Sequence, residues 1–326
     1  MIRTFAEDKM LAAKSILFMV AGFIILIKGA DFFVDGASGI AEKFHIPQIV
    51  IGLTIVAFGT SAPEAAISIS AAFAGTTGIA IGNILGSNLL NILIILGISA
   101  CIVPLHIGKS SIQFDIPFNL FITLMLVLFG IIFGELNIFS GVIFWLLMII
   151  FLIHLFRIAR TDLKEKGTEE APKKQKNILL LCFYIVGGII AIIFGSDLAV
   201  DNATVIASDI LHIDDRLIGL TIIALGTSLP ELMTSVTAAR KGNADIAVGN
   251  ILGSNIFNIL FVLGTVSLIA PVTFSMSFVI DGIIGIVAVI LLYFLSKDDD
   301  TLSRHDGVIF LMCYVVYFVY LLVMNL

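Results

Sequence analysis

The sequence predicts an all-α integral membrane protein with ten transmembrane helices, arranged as two inverted five-helix repeats in which helices 2 and 7 are broken. Three observations lead to this prediction. The 326 residues have a mean hydropathy of +1.13 and only 13% charged residues, about half the charged share of a typical soluble domain. Apolar runs of about 20 residues, long enough to cross a bilayer as helices, recur along the chain. The chain also contains two copies of the same motifs, 167 residues apart.

Ten apolar segments define the order of the predicted spans. They lack the alternating pattern of an outer-membrane β-barrel. The predicted spans are residues 15–36, 47–73, 79–103, 115–133, 138–158, 178–201, 213–239, 244–270, 277–296 and 305–325. Between the fifth and the sixth lies the only long polar stretch, which contains Gly167 and Pro172 and is expected to be a flexible linker. The predicted domains are therefore a first repeat at 1–158, a linker at 159–177 and a second repeat at 178–326.

Lysine and arginine residues outside the spans are unevenly divided between the two membrane faces. Thirteen fall on the face that carries the linker and four on the other. Basic loops favour the cytoplasmic side of a membrane. We therefore expect a multi-pass protein of the cell membrane, with a cytoplasmic linker and both termini outside.

The internal repeat is long and nearly free of gaps. "GLTIVAFGTSAPE" begins at Gly52 and "GLTIIALGTSLPE" at Gly219, with ten of thirteen positions identical. "GNILGSNLLNIL" begins at Gly82 and "GNILGSNIFNIL" at Gly249, with ten of twelve identical. Because five crossings is an odd number, the second copy enters the membrane from the opposite face, and a pseudo-two-fold axis in the membrane plane relates the copies. Motifs at mid-depth in the two copies are then expected to meet.

Each GTS-x-P-E motif places a helix-breaking proline and a carboxylate inside a span. Pro63 and Pro230 free backbone acceptors one turn earlier and suit the start of a new helix. Glu64 and Glu231 follow them, and a charged group at mid-membrane costs on the order of 2.5–3.5 kcal/mol. The simpler alternative is a proline kink with a hydroxyl-capped turn and a neutral carboxyl. Two facing copies favour a cavity that binds something.

The two motifs together would supply one pocket with two carboxylates and four hydroxyls. The hydroxyls belong to Thr60, Ser61, Thr227 and Ser228. Hard cations such as Ca²⁺ and Na⁺ select oxygen ligands. The histidines and cysteines are scattered along the chain, so no site for a softer metal is predicted.

The second motif adds polar groups to the third and eighth spans. Ser87 and Asn91 are four residues apart and share a helix face, and Ser254 and Asn258 repeat the arrangement. Hydrogen bonding between helices is one explanation for the two asparagines. We favour a role in holding a ligand or water beside the glutamates.

The same motif contains small-xxx-small pairs, which let helices approach closely. These glycines are Gly82, Gly86, Gly249 and Gly253. Asn83 and Asn250 are expected to act as caps or as helix-stabilising groups.

Four aspartates also repeat, at Asp31 and Asp35 in the first span and at Asp197 and Asp201 in the sixth. They fall toward the ends of the predicted spans. Solvated helix termini explain them, and a role at a cation entrance is the alternative.

With GTSAPE and GNILGSNLLN repeated as GTSLPE and GNILGSNIFN, the chain resembles the cation/calcium antiporter superfamily, and most closely its prokaryotic sodium/calcium exchanger branch. The resemblance covers nearly the whole chain. It implies that Glu64 and Glu231 are the carboxylates of a central site that binds Ca²⁺ and Na⁺ in alternation. It also implies ligand roles for the hydroxyls of Thr60, Ser61, Thr227, Ser228, Ser87 and Ser254, the carbonyls of Ala57 and Ala224, and the side chain of Asn91.

Asn258 stands where some relatives carry aspartate, which disfavours potassium co-transport. The resemblance therefore implies exchange of Na⁺ for Ca²⁺ by alternating access, with proton/calcium or other cation/calcium antiport as the alternative. It implies no cofactor beyond the transported ions and a protein that functions as a monomer.

Two other classes of protein are alternatives. A passive cation channel predicts flux without dependence on a counter-ion, and such channels usually assemble around an axis. An intramembrane enzyme with paired acidic residues is disfavoured, because the central acids are glutamates with hydroxyl neighbours and no serine–histidine pair accompanies them.

Overall fold

The computed structural model describes residues 5–165, 177–207, 224–297 and 299–325, and these residues are almost entirely helical. The first half contains eight α-helices, two short strands and three π-helical segments. Its helices are α1 (Phe5–Phe44), α2 (Gln48–Ile51), α3 (Ala57–Thr60), α4 (Ala62–Phe73), α5 (Thr77–Leu90), α6 (Gly97–Ile102), α7 (Ile116–Phe133) and α8 (Ile138–Glu165). Its strands are β1 (Leu105–His106) and β2 (Glu135–Leu136), and its π segments are Gly52–Val56, Asn91–Leu96 and Ser111–Asp115.

The described part of the second half repeats this order. Its helices are α9 (Ile178–Val205), α10 (Ala224–Thr227), α11 (Leu229–Arg240), α12 (Ala244–Phe257), α13 (Gly264–Ile269), α14 (Met276–Lys297) and α15 (Arg304–Asn325). Its strands are β3 (Val272–Thr273) and β4 (Thr301–Leu302), and a π segment spans Asn258–Leu263.

Eight helices of the described residues are long and apolar enough to cross a membrane, and a bent pair makes a possible ninth span. The pair is Gln48–Thr60 with Ala62–Phe73, bent by 52°. The predicted seventh span, 213–239, falls partly outside the described residues, although α10 and α11 lie where its second part was expected. The prediction of a multi-span helical membrane protein is confirmed.

The first helix is longer than the predicted span, because the span was read from hydropathy and the helix continues into polar residues. It ends only where His45 adopts a φ of 51° and Pro47 follows, since a residue before proline is pushed out of the helical region. The expectation that Asp31 and Asp35 mark a helix terminus is therefore wrong. Both aspartates lie inside α1.

Two small antiparallel ladders join the halves. Leu105 pairs with Leu302 in β1–β4, and Leu136 pairs with Val272 in β2–β3. The repeat relates β1 to β3 and β2 to β4, so it converts the β1–β4 pair into the β3–β2 pair. This reciprocal pairing is what an approximate two-fold relation between the halves produces.

The helix at the centre of the fold is α12. All of its residues from Ile246 to Phe257 are buried, including three polar ones. Its glycines allow the close approach expected from the small-xxx-small pattern. A Cβ at Gly249 would lie 3.0 Å from Gly52 Cα, and one at Gly253 would lie 2.7 Å from Leu53 Cα. The corresponding neighbours of Gly82 and Gly86, residues 219–223, lie outside the described part of the chain.

The first and ninth helices also pack backbone to backbone. A Cβ on Gly195 would meet Leu26 N at 2.5 Å, and one on Gly22 would meet Ala199 N at 2.6 Å. Real Cβ atoms do not approach so closely, so these glycines are what lets α1 and α9 touch. The two helices form a pair along most of their length.

This packing predicts a difference between two Gly→Ala changes in the same helix. Gly195→Ala forces α1 and α9 apart and should cost about 1–3 kcal/mol. Gly187→Ala meets no described atom within 4 Å and should be neutral or stabilising by about 0.5–1 kcal/mol through helix propensity. Apparent melting temperatures of the purified variants in detergent test this. Equal melting temperatures for the two variants would contradict the close packing.

Candidate cation-binding site

The centre of the site is a break in two helices, one in each half. Ser61 lies between α3 and α4 with φ −85° and ψ 8°, and Ser228 lies between α10 and α11 with φ −92° and ψ 4°. Pro63 and Pro230 stand in the first turn of the helix that follows each break. A proline there lacks only an N–H that would have no helical partner, so each residue starts a helix at no cost in hydrogen bonds. The predicted break in helix 2 is confirmed, and the same break is present in the described part of helix 7.

The breaks bring the two carboxylates together in the interior. Glu64 and Glu231 are each 1% exposed and lie within electrostatic reach of one another. Both oxygens of Glu64 and Oε2 of Glu231 have no hydrogen-bond partner among the described residues. Isolated buried carboxylates are costly, so this arrangement calls for a positively charged occupant.

Hydrogen bonds from the first break reach across to the second half. Ser61 Oγ donates to Glu231 Oε1 at 2.9 Å, and Thr60 Oγ1 donates to Asn250 Oδ1 at 3.0 Å. Thr60 is the last residue of α3 and Ser61 follows it, whereas their acceptors lie on α11 and α12. The two halves therefore build one site rather than two separate ones.

Four asparagines from α5, α12 and the π segments that follow them form a reciprocal network. Asn88 Nδ2 donates to the carbonyl of Asn255 at 3.3 Å, and Asn255 Nδ2 donates to the carbonyl of Asn88 at 3.2 Å. Asn91 Nδ2 donates to Asn255 Oδ1 at 2.9 Å, and Asn258 Nδ2 donates to Asn88 Oδ1 at 3.0 Å. Each half thus holds an asparagine of the other.

This network fixes how Asn91 and Asn258 are turned. Their amide nitrogens are anchored, and their Oδ1 atoms have no partner within the described structure. The two roles expected for these asparagines are therefore compatible. The amide nitrogen makes the hydrogen bond between helices, and the amide oxygen of the same side chain is available to a ligand. Each of the two residues stands at the start of a π-helical segment, a local feature that is frequent at functional sites.

Asn83 and Asn250 brace the glutamate segments and are not caps. Asn83 Nδ2 donates to the carbonyl of Glu64 at 3.3 Å and to Ser68 Oγ at 3.0 Å. Asn250 Nδ2 makes the same two bonds in the other half, to the carbonyl of Glu231 at 3.4 Å and to Ser235 Oγ at 2.9 Å. The cap interpretation is wrong because each asparagine lies in the middle of its helix. There its side chain faces the broken helix beside it.

The remaining predicted ligands differ in how they are placed. Ser228 and Ser254 are buried, and each Oγ lacks a partner in the described part of the chain. Ser87 is buried on the helix face of Asn91. The carbonyl of Ala57 accepts from Ser61 N at 3.0 Å and lies 3.4 Å from the hydroxyl of Thr60.

The second half completes the set of predicted positions. Thr227 is half-buried at the end of α10 and lines a cavity beside Pro230. Ala224 begins α10, at the position that corresponds to Ala57. Both residues therefore lie in the short helix that ends at the break.

Seven of the eleven buried side-chain oxygens without a partner among the described residues belong to the repeated motifs. They include Glu64 Oε1 and Oε2, Glu231 Oε2, Asn91 Oδ1, Asn258 Oδ1, Ser228 Oγ and Ser254 Oγ. Buried polar atoms normally find partners. A cluster of unpaired oxygens with two carboxylates suits a hard cation. The residues present therefore fit Ca²⁺ or Na⁺ as an occupant.

The asparagine network predicts a strong effect of Asn255→Ala. The change leaves Asn91 Nδ2 without its acceptor, at a cost of about 1–3 kcal/mol. It also removes one of two donors to the carbonyl of Asn88, which still accepts from Asn91 N. It should therefore lower the melting temperature and weaken Ca²⁺ binding measured by calorimetric titration. Asn202→Ala is the control, because Asn202 Nδ2 bonds, among the described residues, only to Leu198 O of its own helix at 2.8 Å. Wild-type Ca²⁺ binding by Asn255→Ala would contradict the anchoring role.

Comparisons with known proteins agree with this geometry. The family model described as sodium/calcium exchanger protein matches residues 14–157 and 180–323. The sodium/calcium exchanger MaX1 of Methanosarcina acetivorans is 34% identical, with 94% of this chain and 97% of that protein covered. The inner membrane protein YrbG of Escherichia coli is 37% identical, with 80% and 81% covered.

A solved structure shows the same fold. The sodium-calcium exchanger NCX_Mj, soaked with 2.5 mM Na⁺ and 10 mM Sr²⁺, superposes with a TM-score of 0.79 at 32% identity, over 94% of this chain and 98% of that one. The family consists of transporters, which excludes the alternative of an intramembrane enzyme with paired acidic residues. The chain belongs to the sodium/calcium exchanger family.

Proposed function

We propose that this protein exchanges Na⁺ for Ca²⁺ across a membrane at a single site between Glu64 and Glu231. The observation that carries the proposal is the set of unpaired buried oxygens around these two carboxylates. Hydrogen-bond donors would satisfy such oxygens in a structural core. Here the amide groups of Asn91 and Asn258 donate to other asparagines. The oxygens without a partner are therefore available to cations.

The ligands we propose are those of the repeated motifs. Their side chains are Glu64, Glu231, Asn91, Asn258, Thr60, Ser61, Thr227, Ser228, Ser87 and Ser254, and their carbonyls are those of Ala57 and Ala224. Thr60 and Ser61 act in part by orienting Asn250 and Glu231, to which they donate. No resident cofactor is part of the proposal.

Charge explains why occupancy would be exclusive. With both glutamates ionised the empty site carries a charge of −2, which one Ca²⁺ neutralises. Na⁺ ions use the same oxygens and therefore cannot bind together with Ca²⁺. Carrying an empty, charged site through the low-dielectric interior is unfavourable, so alternation between the faces requires bound cations. This requirement distinguishes an exchanger from a passive channel.

The physiological setting follows from the charge distribution of the loops. We propose a protein of the cell membrane with the linker at 159–177 in the cytoplasm and both termini outside, from the excess of lysine and arginine on the linker face. The domains are then a repeat at 1–158 and an inverted repeat at 178–326. Since both halves of the site come from one chain, a monomer suffices for function. With an inward Na⁺ gradient, the exchanger extrudes Ca²⁺.

The proposal predicts that both glutamates are needed for flux. In Na⁺-loaded proteoliposomes, Glu64→Gln and Glu231→Gln should each lower Na⁺-dependent ⁴⁵Ca²⁺ uptake at least 100-fold, because each removes half of the charge that holds Ca²⁺. Glu42→Gln makes the same change on the exposed end of α1 and should leave uptake unchanged. Uptake that persists in both central variants would reject the site.

The counter-ion is tested separately. Ca²⁺ uptake should require internal Na⁺, fail when choline or K⁺ replaces it, and fail when only a proton gradient is present. Valinomycin with K⁺ gradients sets the membrane potential and shows whether net charge moves. Uptake driven by the proton gradient alone would instead support a proton/calcium antiporter.

A further inference from the structure

Polar contacts fasten the turn after the second broken helix to α1. Lys241 Nζ lies 2.9 Å from Asp35 Oδ1 and donates to the backbone carbonyl of Asp31 at 2.9 Å. The carboxylate of Asp31 is 3.4 Å from the same ammonium group. Asn243 Nδ2 donates to Ser38 Oγ at 2.7 Å. We call these five residues the clasp.

The corresponding turn in the first copy has no clasp. Gly75 and Gly242 have φ values of 73° and 79°, so the two turns share a backbone conformation. Ala74 stands where Lys241 stands in the second copy, and Thr76 replaces Asn243. Thr76 Oγ1 donates to Ala71 O, inside its own turn, at 3.2 Å.

The second half carries the same pair of aspartates, on α9. Asp197 and Asp201 are the counterparts of Asp31 and Asp35 in the repeat. They form no ion pair with any residue of the described ranges. The same acidic pair is therefore bridged to the core in one half and exposed in the other.

A cavity lies beside Asp197 and Asp201, at the membrane face opposite the clasp. It has a volume of about 90 Å³ and is lined by Asp197, Asp201, Val200, Pro63 and Thr227, among others. Pro63 and Thr227 adjoin the breaks that carry the carboxylates. On the clasped face, Val34 corresponds to Val200 and is fully buried. This cavity therefore places an opening beside both breaks on the face of Asp197 and Asp201.

We propose that the clasp stabilises this conformer, and that it must open before the site can be reached from the opposite face. The inference rests on the alternating access of the proposed function. Because α1 packs on α9 through glycines and is bonded to the turn after α11 by the clasp, any sliding of this helix pair past the broken helix breaks the clasp. By the count of crossings, the clasp lies on the same face as the linker.

The strength of the clasp suits a reversible latch. The side chains of Lys241 and Asp35 are 28% and 44% exposed. Partly exposed ion pairs shift an equilibrium by about two- to five-fold. A contact of this size biases one conformer without trapping it.

Cysteine labelling tests the bias without requiring transport. Val34→Cys and Val200→Cys are placed singly in a background with Cys101, Cys182 and Cys313 replaced by alanine, and the rate of reaction with a small maleimide is measured. We expect Lys241→Ala and Asp35→Asn each to raise the rate at Val34→Cys two- to five-fold. The double variant should show no increase beyond that of Lys241→Ala, since Asp35 has then already lost its bond to the ammonium group.

Lys28→Ala is the matched control. Lys28 is 69% exposed and lies 3.8 Å from Asp31, so the change removes a positive charge beside Asp31 and leaves every bond of Lys241 in place. It should leave both rates unchanged. An increase equal to that of Lys241→Ala would show that net charge, and not the clasp, sets the bias.

Exchanging the turns provides the stronger test. Ala74→Lys combined with Lys241→Ala moves the ammonium to the side of Asp197 and Asp201 and should raise labelling at Val34→Cys while lowering it at Val200→Cys. Unchanged rates in both Lys241→Ala and Asp35→Asn would overturn the proposal. Because labelling is read without Na⁺ or Ca²⁺ flux, failure of the exchange assay leaves this result interpretable.

Discussion

The structure depends on one electrostatic constraint: two carboxylates lie in the interior of a membrane protein with few protein groups to satisfy them. Glu231 accepts one hydrogen bond from Ser61, and neither oxygen of Glu64 accepts any from the described residues. Removing one such charge from water costs several kcal/mol even after relaxation of the protein. The fold is stable because helices, ladders and asparagine bonds offset this cost elsewhere. A cation bound between the two carboxylates would offset this cost, so the proposed function links stability to ion binding.

Gene duplication solves a geometric problem that this constraint creates. A cation needs ligands on all sides, whereas one broken helix presents oxygens from one side only. In this protein each half supplies carboxylate, hydroxyl and amide oxygens and also orients those of the other half. Thr60 reaches Asn250, and the Asn88–Asn255 pair anchors both Asn91 and Asn258. The orientation is therefore correct only when both halves are folded against each other, which couples assembly of the site to closure of the whole domain.

Much of this was predictable from the sequence because the strongest signals are local. Pro63 and Glu64 inside an apolar run, repeated at a fixed offset, identify the breaks and the carboxylates without any tertiary information. The asparagine pair at 88 and 255 was missed, although its repetition was visible. Its role depends on contacts between residues 167 apart in the chain, and no local pattern distinguishes an anchoring amide from a packed one. The length of α1 was also missed, since hydropathy follows the bilayer and not the helix.

The differences between the copies matter as much as their identity. A perfectly symmetric pair of repeats gives two conformers of equal energy, one open to each face, because the two-fold operation converts one into the other. Any preference must therefore come from positions where the copies diverge. Lys241 against Ala74 is such a position, and it contacts the helix that would have to move. The repeated motifs thus determine what is bound, while residues that break the repeat determine from which side it binds.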